Sequence, residues 1–170
     1  MIDSHCHLNF PAIKADLKNI IKRCEANGVN KLLTINTNPD EFDDHLNLIK
    51  DFDNIYIAYG IHPDKVIENT YLSFDDIDNR IKNSRFIGIG ETGLDFYYSI
   101  EFKKKQYEIF ESHIKASKEF DLPIIIHQRN SEKEIVEVLK KYKNDNLKIV
   151  FHCFTGSKEL LKFCDENKYY

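Results

Sequence analysis

Metal-binding residue types follow short apolar runs of this sequence at four places. Imidazole nitrogens and carboxylate oxygens are the ligands that Zn²⁺, Mn²⁺ and similar ions take in proteins. Taken together, these positions predict a metal site rather than a set of unrelated structural side chains. The candidate ligands are His5, His7, Glu91, His127 and His152.

His5 and His7 form a His-Cys-His pattern at the end of the first apolar run. Side chains two apart on a strand point to the same face, so both imidazoles should lie together while Cys6 points to the other face. Two adjacent imidazoles are a ready chelate. By itself the pattern is more often one of histidines that only end a strand.

Glu91 follows the apolar run Phe86–Gly90, where an unpaired carboxylate would be costly to bury. Its two oxygens could bridge two metal ions about 3.5–4 Å apart, as in two-metal hydrolases. The alternative is an ion pair with a lysine or arginine. His127 ends Pro-Ile-Ile-Ile-His and His152 ends Ile-Val-Phe-His, and each alone could be a structural histidine.

Apolar runs and amphipathic stretches alternate along the whole chain. The runs are short and rich in Ile, Val, Leu and Phe, as is typical of parallel strands buried on both faces. The predicted strands are Ile2–His7, Lys31–Thr37, Asn54–Gly60, Phe86–Glu91, Leu122–His127 and Leu147–His152. The predicted helices are Ala12–Asn27, Glu41–Phe52, Phe74–Lys82, Glu101–Phe120, Ser131–Tyr142 and Ser157–Asn167.

Six β-then-α units in a row predict an α/β fold with a parallel sheet, either doubly wound or a TIM-type (β/α)8 barrel. No glycine-rich dinucleotide motif follows the first strand and no phosphate-loop lysine is present, which disfavours nucleotide-binding folds. A full barrel takes about 250 residues. We therefore expect residues 1–170 to form a single domain, C-terminally truncated and lacking the last two βα units. The carboxyl ends of the strands would form the active-site rim.

Composition sets broad limits on function. Charged residues make up 31% and the formal net charge is −4, which argues against a strongly basic nucleic-acid binder. A nucleic-acid enzyme stays possible because bound divalent cations add positive charge. With no apolar stretch of membrane-spanning length and no paired cysteine motif, we expect a cytoplasmic protein with no membrane contact and no evident stable protein partner.

Five motifs, in the order in which they occur, make this sequence similar to the TatD-related deoxyribonuclease family of metal-dependent hydrolases. They cover the whole chain, and the helix QYEIFESHIKAS before the fifth strand fits the same pattern. The motifs are Asp3-Ser-His-Cys-His7, Gly60-Ile-His-Pro63, Gly90-Glu-Thr-Gly-Leu-Asp95, Pro123-Ile-Ile-Ile-His127 and His152-Cys-Phe-Thr-Gly-Ser157.

The resemblance implies a (β/α)8 barrel that hydrolyses phosphodiester bonds of DNA, often from the 3′ end of single strands, with two divalent ions (Mg²⁺, Mn²⁺ or Zn²⁺). It places one ion on His5, His7 and Glu91, and the other on Glu91, His127 and His152. It also implies a further aspartate near the end of an eighth strand. The sequence ends at Tyr170, before such a residue.

Other rim residues receive roles beside the metals. His62 and Glu91 are the catalytic candidates. The resemblance implies that His62 contacts the substrate phosphate or transfers a proton. Arg129 could bind a phosphate or pair with an acid such as Asp95, and Asp95 could orient a metal-binding histidine or shape its loop. Asp3 is expected on the same face as His5. Tyr97, Tyr98 and Phe154 could stack on bases or serve in packing.

Two further readings stay open. The same metals could serve a deacylase that removes D-amino acids from mischarged tRNA, an activity that the family resemblance permits. Alternatively, the chain could be an inactive truncated fragment with unpaired outer strands. The remaining histidines, His45 and His113, fall within predicted helices and are expected to be structural or surface residues.

Overall fold

The computed structural model describes residues 1–143 and 145–170, and six parallel strands dominate it. Their order in the sheet follows the order in the chain without reversal. A doubly wound sheet reverses its strand order at a switch point, so this arrangement is that of consecutive units of a (β/α) barrel. The strands are β1 (Ile2–Cys6), β2 (Lys31–Asn36), β3 (Ile55–Tyr59), β4 (Phe86–Asp95), β5 (Ile124–Arg129) and β6 (Ile149–Phe151).

Helices follow the strands and pack on one face of the sheet. The main apolar cluster joins strand residues such as Leu32 and Ile57 to helix residues such as Phe110 and Ile135. A smaller cluster of Ile35, Ala58 and Ile125 lies on the opposite face. The helices are α1 (Pro11–Lys14), α2 (Leu17–Ala26), α3 (Phe42–Ile49), α4 (Phe74–Arg80), α5 (Lys103–Glu119), α6 (Glu132–Lys140) and α7 (Lys158–Asn167).

The helix predicted for Ala12–Asn27 is wrong in one respect, since the structure contains two helices there. The backbone leaves helical geometry at Asp16, with φ −121° and ψ 19°. The Asp16 carboxylate, just before α2, accepts hydrogen bonds from Asn19 in the first turn of that helix and Arg23 in its last turn. Local side-chain bonding of this kind competes with an uninterrupted helix.

Strands β4 and β5 extend beyond their predicted ends at Glu91 and His127. Thr92 to Asp95 continue to pair with Ile126 to Arg129. The register shifts between Ile89 and Thr92, which places Gly90 and Glu91 in a β-bulge. Such bulges redirect a side chain without ending the strand. Glu91 therefore lies inside β4 rather than at its end.

Glycines allow this part of β4 to approach β5 closely. Gly93 has φ +143°, which L side chains rarely adopt, and a Cβ atom there would collide with the carbonyl oxygen of His127. Gly90 has φ +124°, and a Cβ atom there would lie 2.5 Å from the carbonyl oxygen of Ile125. The glycines of the Gly90–Gly93 segment are thus required by the close packing that supports Glu91 and His127.

The four cysteines are unpaired among the described residues and differ in exposure. Cys164 is buried, Cys6 and Cys24 are half-buried, and Cys153 is exposed directly after His152. Cys6 packs with the main core cluster, as its place between His5 and His7 predicted. Burial raises the pKa of the Cys6 thiol to about 12. Within the described residues, no helix is long and apolar enough to cross a bilayer.

Candidate metal centre

The carboxylate of Glu91 is the centre of the candidate site. Its side chain is 3% exposed and five imidazoles surround it. On one side, Oε2 lies 3.3 Å from His5 Nε2 and 3.8 Å from His7 Nε2. On the other side, Oε1 lies 2.6 Å from His152 Nε2 and 2.9 Å from His127 Nδ1. The structure thus brings together all five predicted ligands.

His62 joins this set, since its Nε2 lies 3.3 Å from Glu91 Oε1. The ligand atoms of His5, Glu91 and His152 lie within 4.8 Å of one another, and so do those of His62, Glu91 and His127. This grouping by mutual distance differs from the grouping by carboxylate oxygen, which puts His152 with His127. Both groupings share Glu91. The distances from Glu91 Oε1 to His127 and His152 are only 2.9 and 2.6 Å, so these two histidines form one group with that oxygen.

His5 on β1 and His7 directly after it contact each other edge-to-face, with 5.1 Å between ring centroids, and are held by neighbouring groups as well. Nδ1 of His7 lies 3.3 Å from the carbonyl oxygen of Ile35, which leaves Nε2 directed at Glu91. The exposed ring of Phe10 stacks on His7 with 4.7 Å between centroids. His5 stacks on His152 with 4.2 Å between centroids. Asp3 accepts a hydrogen bond from the His5 backbone amide.

Both ring nitrogens of His5 are buried and have no hydrogen-bond partner among the residues that the structure describes. Nε2 is close to the Glu91 carboxylate but poorly aligned with it for a hydrogen bond. Buried polar nitrogens without partners are rare in native proteins. An imidazole and carboxylate donor set with such free nitrogens fits one or more divalent cations of the Zn²⁺ or Mn²⁺ type.

Asp95 lies behind His127. Its Oδ2 accepts a hydrogen bond from His127 Nε2 at 3.0 Å, which leaves Nδ1 facing Glu91. The backbone of Asp95 is bonded in both directions by the buried side chain of Gln106 on α5. Asp95 Oδ1 also accepts a hydrogen bond from the Tyr97 backbone amide at 2.8 Å, so the geometry fits both roles considered for Asp95, the orientation of a histidine and the shaping of its loop. Gln106 was not singled out from sequence, although a glutamine within a helix packed on the sheet is a usable signal.

Asp64 is an acidic residue that contacts His62 and that was not predicted from the sequence. Its Oδ1 lies 2.6 Å from His62 Nδ1. The signal was present as an acidic residue two positions after His62. The hydrogen bond from His62 holds the pKa of the Asp64 carboxyl below its usual value.

The imidazoles strongly favour the ionised form of Glu91. Burial by itself would raise the pKa of Glu91, but hydrogen bonds from His127 and His152 outweigh it and hold the pKa well below its usual range. Burial opposes the charged form of His62 as well, yet its contacts with Asp64 and Glu91 raise its pKa to about 9. For His7, burial dominates and lowers the pKa.

Arg129 packs on two tyrosines at the edge of the site. Its guanidinium carbon lies 3.7 Å from the ring centroid of Tyr97, and Nη1 donates to the Tyr98 hydroxyl at 3.1 Å. Tyr97, Tyr98 and Phe154 are exposed. A cavity of about 210 Å³ that Tyr98 lines lies between the segments Pro63–Ile67 and Asp95–Gln106.

His45 and His113 lie outside the site and are buried, so they are structural and not surface residues. His45 Nε2 is 2.8 Å from Thr34 Oγ1, between α3 and β2. His113 Nε2 accepts a hydrogen bond from the backbone amide of Ile61, the residue before His62. Burial lowers the pKa of each imidazole to about 4.

The family model described as TatD related DNase matches residues 2–170. The uncharacterized metal-dependent hydrolase YabD of Bacillus subtilis (strain 168) is 32% identical over 170 residues, covering 100% of this chain and 67% of YabD. The uncharacterized metal-dependent hydrolase YcfH of Escherichia coli (strain K12) is 29% identical, covering 94% of this chain and 60% of YcfH. The chain thus spans about two thirds of the length of these curated relatives.

Solved structures show the same architecture. The crystal structure of YJJV, a TatD homologue from Escherichia coli K12, superposes with a TM-score of 0.89 at 26% identity. The aligned region covers 99% of this chain and 66% of that chain. A TatD family hydrolase from Entamoeba histolytica superposes with a TM-score of 0.83 at 20% identity, which supports the fold alone. The expected TIM-type (β/α) architecture is confirmed.

Proposed function

Because the chain belongs to the TatD-related DNase family of metal-dependent hydrolases, we propose that it hydrolyses phosphodiester bonds in DNA. The proposed substrate is single-stranded DNA, shortened from its 3′ end. The observation that carries the proposal is the environment of Glu91, whose two oxygens face two different groups of imidazoles.

The donor set would suit two divalent cations, one on each side of the Glu91 carboxylate. His5 and His7 with Oε2 would hold the first, and His127 and His152 with Oε1 the second. Cations bound in this way lower the pKa of water to near neutrality and neutralise charge on a phosphate. Bound divalent cations would also add positive charge at the site, where the formal net charge of −4 on the chain otherwise disfavours binding of DNA.

The protein's own residues fix the orientation of these ligands. The carbonyl oxygen of Ile35 holds Nδ1 of His7, and the carboxylate of Asp95 holds Nε2 of His127. Partners of this kind select the tautomer and direct the remaining nitrogen at the ion. Burial of Glu91 keeps bulk water away from the shared carboxylate, which strengthens its attraction for cations.

Arg129 and its tyrosines suit the substrate strand. A guanidinium group binds phosphate oxygens through a planar fork of N–H donors, and aromatic faces stack on bases without regard to sequence. Arg129 is already positioned by Tyr97 and Tyr98, so little side-chain freedom is lost when it binds. The neighbouring cavity gives room for a terminal nucleotide group. We therefore assign phosphate binding to Arg129 and base stacking to Tyr97.

The test is cleavage of single-stranded DNA labelled at either end, with Mg²⁺, Mn²⁺ or Zn²⁺ and with a chelator. We expect metal-dependent shortening from the 3′ end in the wild type and none in Glu91→Gln. Glu25→Gln, a matched change of an exposed glutamate on α2, should cleave at the wild-type rate. Activity that survives in Glu91→Gln would remove Glu91 from the mechanism.

The deacylase alternative is distinguished in the same experiment with D-aminoacyl-tRNA as a second substrate. Release of the amino acid without any DNA cleavage would replace the phosphodiesterase proposal. A protein inactive on both substrates with every metal would refute it as well.

A further inference from the structure

We propose that His62 is itself a metal ligand and that Asp64 is the residue that orients it. This role differs from the phosphate contact or proton transfer that family resemblance implies for His62. It shares with the proposed function only the presence of a divalent cation at Glu91. It does not depend on DNA being the substrate.

The first observation is the contact between His62 and Asp64. Nδ1 of His62 lies 2.6 Å from Asp64 Oδ1. An ionised carboxylate can only accept, so Nδ1 must carry the proton. The backbone amide of Asp64 also points to Nδ1, at 3.2 Å. The carboxylate contact is shorter and charge-assisted, so it decides the tautomer. In the neutral imidazole, Nε2 then presents a lone pair.

The second observation is that His127 is held in the same way. Its Nε2 donates to Asp95 at 3.0 Å, and its other nitrogen faces Glu91. A carboxylate behind an imidazole is the usual support of a metal-binding histidine. His62 therefore has the same arrangement as the predicted ligand His127, except that its Nδ1 contacts the carboxylate and its Nε2 faces Glu91.

The third observation is a triangle of acceptor atoms. His62 Nε2 lies 3.3 Å from Glu91 Oε1 and 3.2 Å from His127 Nδ1, and the last two atoms are 2.9 Å apart. With both outer nitrogens protonated, neutral imidazoles would direct two lone pairs and a carboxylate oxygen at one another. Such an arrangement is repulsive unless a proton on His62 Nε2 or a metal cation lies among the three atoms. A divalent ion would take the place of that proton and bind all three atoms at once.

The backbone around His62 holds this position. The His62 amide donates to the carbonyl oxygen of Thr37 at 3.2 Å. The preceding amide, of Ile61, donates to the buried imidazole of His113 at 3.0 Å. His62 then opens the 3₁₀ turn Pro63–Lys65. A ligand held at both its backbone and its ring is pre-organised for binding an ion.

The direct test is NMR of protein labelled with ¹⁵N in histidine and loaded with ¹¹³Cd²⁺. A scalar coupling between ¹¹³Cd and Nε2 of His62 is the expected result, because coupling passes only through a metal–nitrogen bond. This measurement uses the wild-type chain, so it is independent of whether a variant folds. Couplings to other histidines with none to His62, or no bound cadmium at all, would overturn the proposal.

Variants test the role of Asp64. We expect Asp64→Asn to weaken Cd²⁺ binding about 10- to 100-fold by calorimetry, as is usual when the support of a ligand is lost. His62→Ala should weaken it at least as much. Asp51→Asn, the same change at an exposed carboxylate, should bind as the wild type does. Unchanged affinity in both Asp64→Asn and His62→Ala would contradict the assignment.

The two proposals can fail separately. A protein that couples cadmium to His62 but does not cleave DNA keeps the ligand assignment and loses the proposed substrate. A protein that cleaves DNA without any coupling to His62 keeps the substrate and loses the assignment.

Discussion

Nε2 of His113 accepts a hydrogen bond at 3.0 Å from the backbone amide of Ile61, the residue before His62. Nδ1 of His113 donates to the carbonyl oxygen of Ile109, one turn earlier on α5, at 2.7 Å. Both nitrogens are thus used by a neutral imidazole that is 0% exposed. This histidine connects α5 to the segment that carries His62.

Acid should therefore destabilise the protein through His113. Burial lowers its folded-state pKa from 6.5 to about 4. As the pH falls below about 6.5, the unfolded chain takes up a proton that the folded protein does not bind, so stability falls until about pH 4 and then levels off. We expect this group to contribute a loss of about 3 kcal/mol by pH 4, measured by urea unfolding.

His113→Gln isolates this contribution from other titrating groups. The variant should be less stable than the wild type at pH 7, but it should lose about 3 kcal/mol less between pH 7 and pH 4. His45 is buried with a similarly lowered pKa and stays in place in both proteins. Equal losses in the two proteins would show that His113 is not the group that resists protonation.

Metal binding should stabilise the folded protein through Glu91. An ion that binds only the folded state at 100 times its Kd adds about 2.7 kcal/mol to the free energy of unfolding. We expect an increase of this size for the wild type on addition of Zn²⁺ and its loss on chelation. Glu91→Gln should show little difference between the two conditions, whereas Glu25→Gln should respond as the wild type does. A full response in Glu91→Gln would count against the shared carboxylate.

Gly93→Ala should disrupt the contact between β4 and β5. A Cβ atom there would collide with the carbonyl oxygen of His127, and φ is +143°. We expect a loss of more than about 3 kcal/mol in urea unfolding, together with weaker metal binding. Gly28→Ala is the control, because Gly28 also has positive φ (+77°) but no atom of the described residues lies within 4 Å of a Cβ placed there. That variant should lose only about 1–2 kcal/mol. Similar losses in both would assign the effect to φ alone.

Arg129→Lys separates the shape of the guanidinium from its charge. Lysine cannot donate through a planar fork or stack on Tyr97 as arginine does. We expect about tenfold weaker binding of single-stranded DNA, or about 1.4 kcal/mol, with the salt dependence unchanged. Arg129→Ala should also lower the slope of log affinity against log salt by about 0.7. Fluorescence anisotropy with the divalent ion present and a phosphorothioate strand that resists cleavage measures both, and identical affinities for all three proteins would exclude Arg129 from the interface.

The sequence by itself predicted the order of the six units and the types of the ligand residues. Buried parallel strands are continuous apolar runs, so β5 and β6 could be recognised without knowledge of their partners. His127 and His152 follow such runs directly, whereas His5 lies in the largely polar strand β1 and His7 directly after it. Because the carboxyl ends of parallel strands meet at one edge, their proximity was predictable as well.

Only the tertiary structure decided how these side chains face one another. Glu91 lies inside β4 because a bulge continues its pairing with β5, and that pairing depends on residues more than thirty positions away in sequence. The burial of His113 depends likewise on contacts between distant elements. So does the distance of 3.2 Å between His62 Nε2 and His127 Nδ1. Local periodicity specifies which element a residue belongs to. The packing between elements determines the direction of its side chain, its hydrogen-bond partners and its pKa.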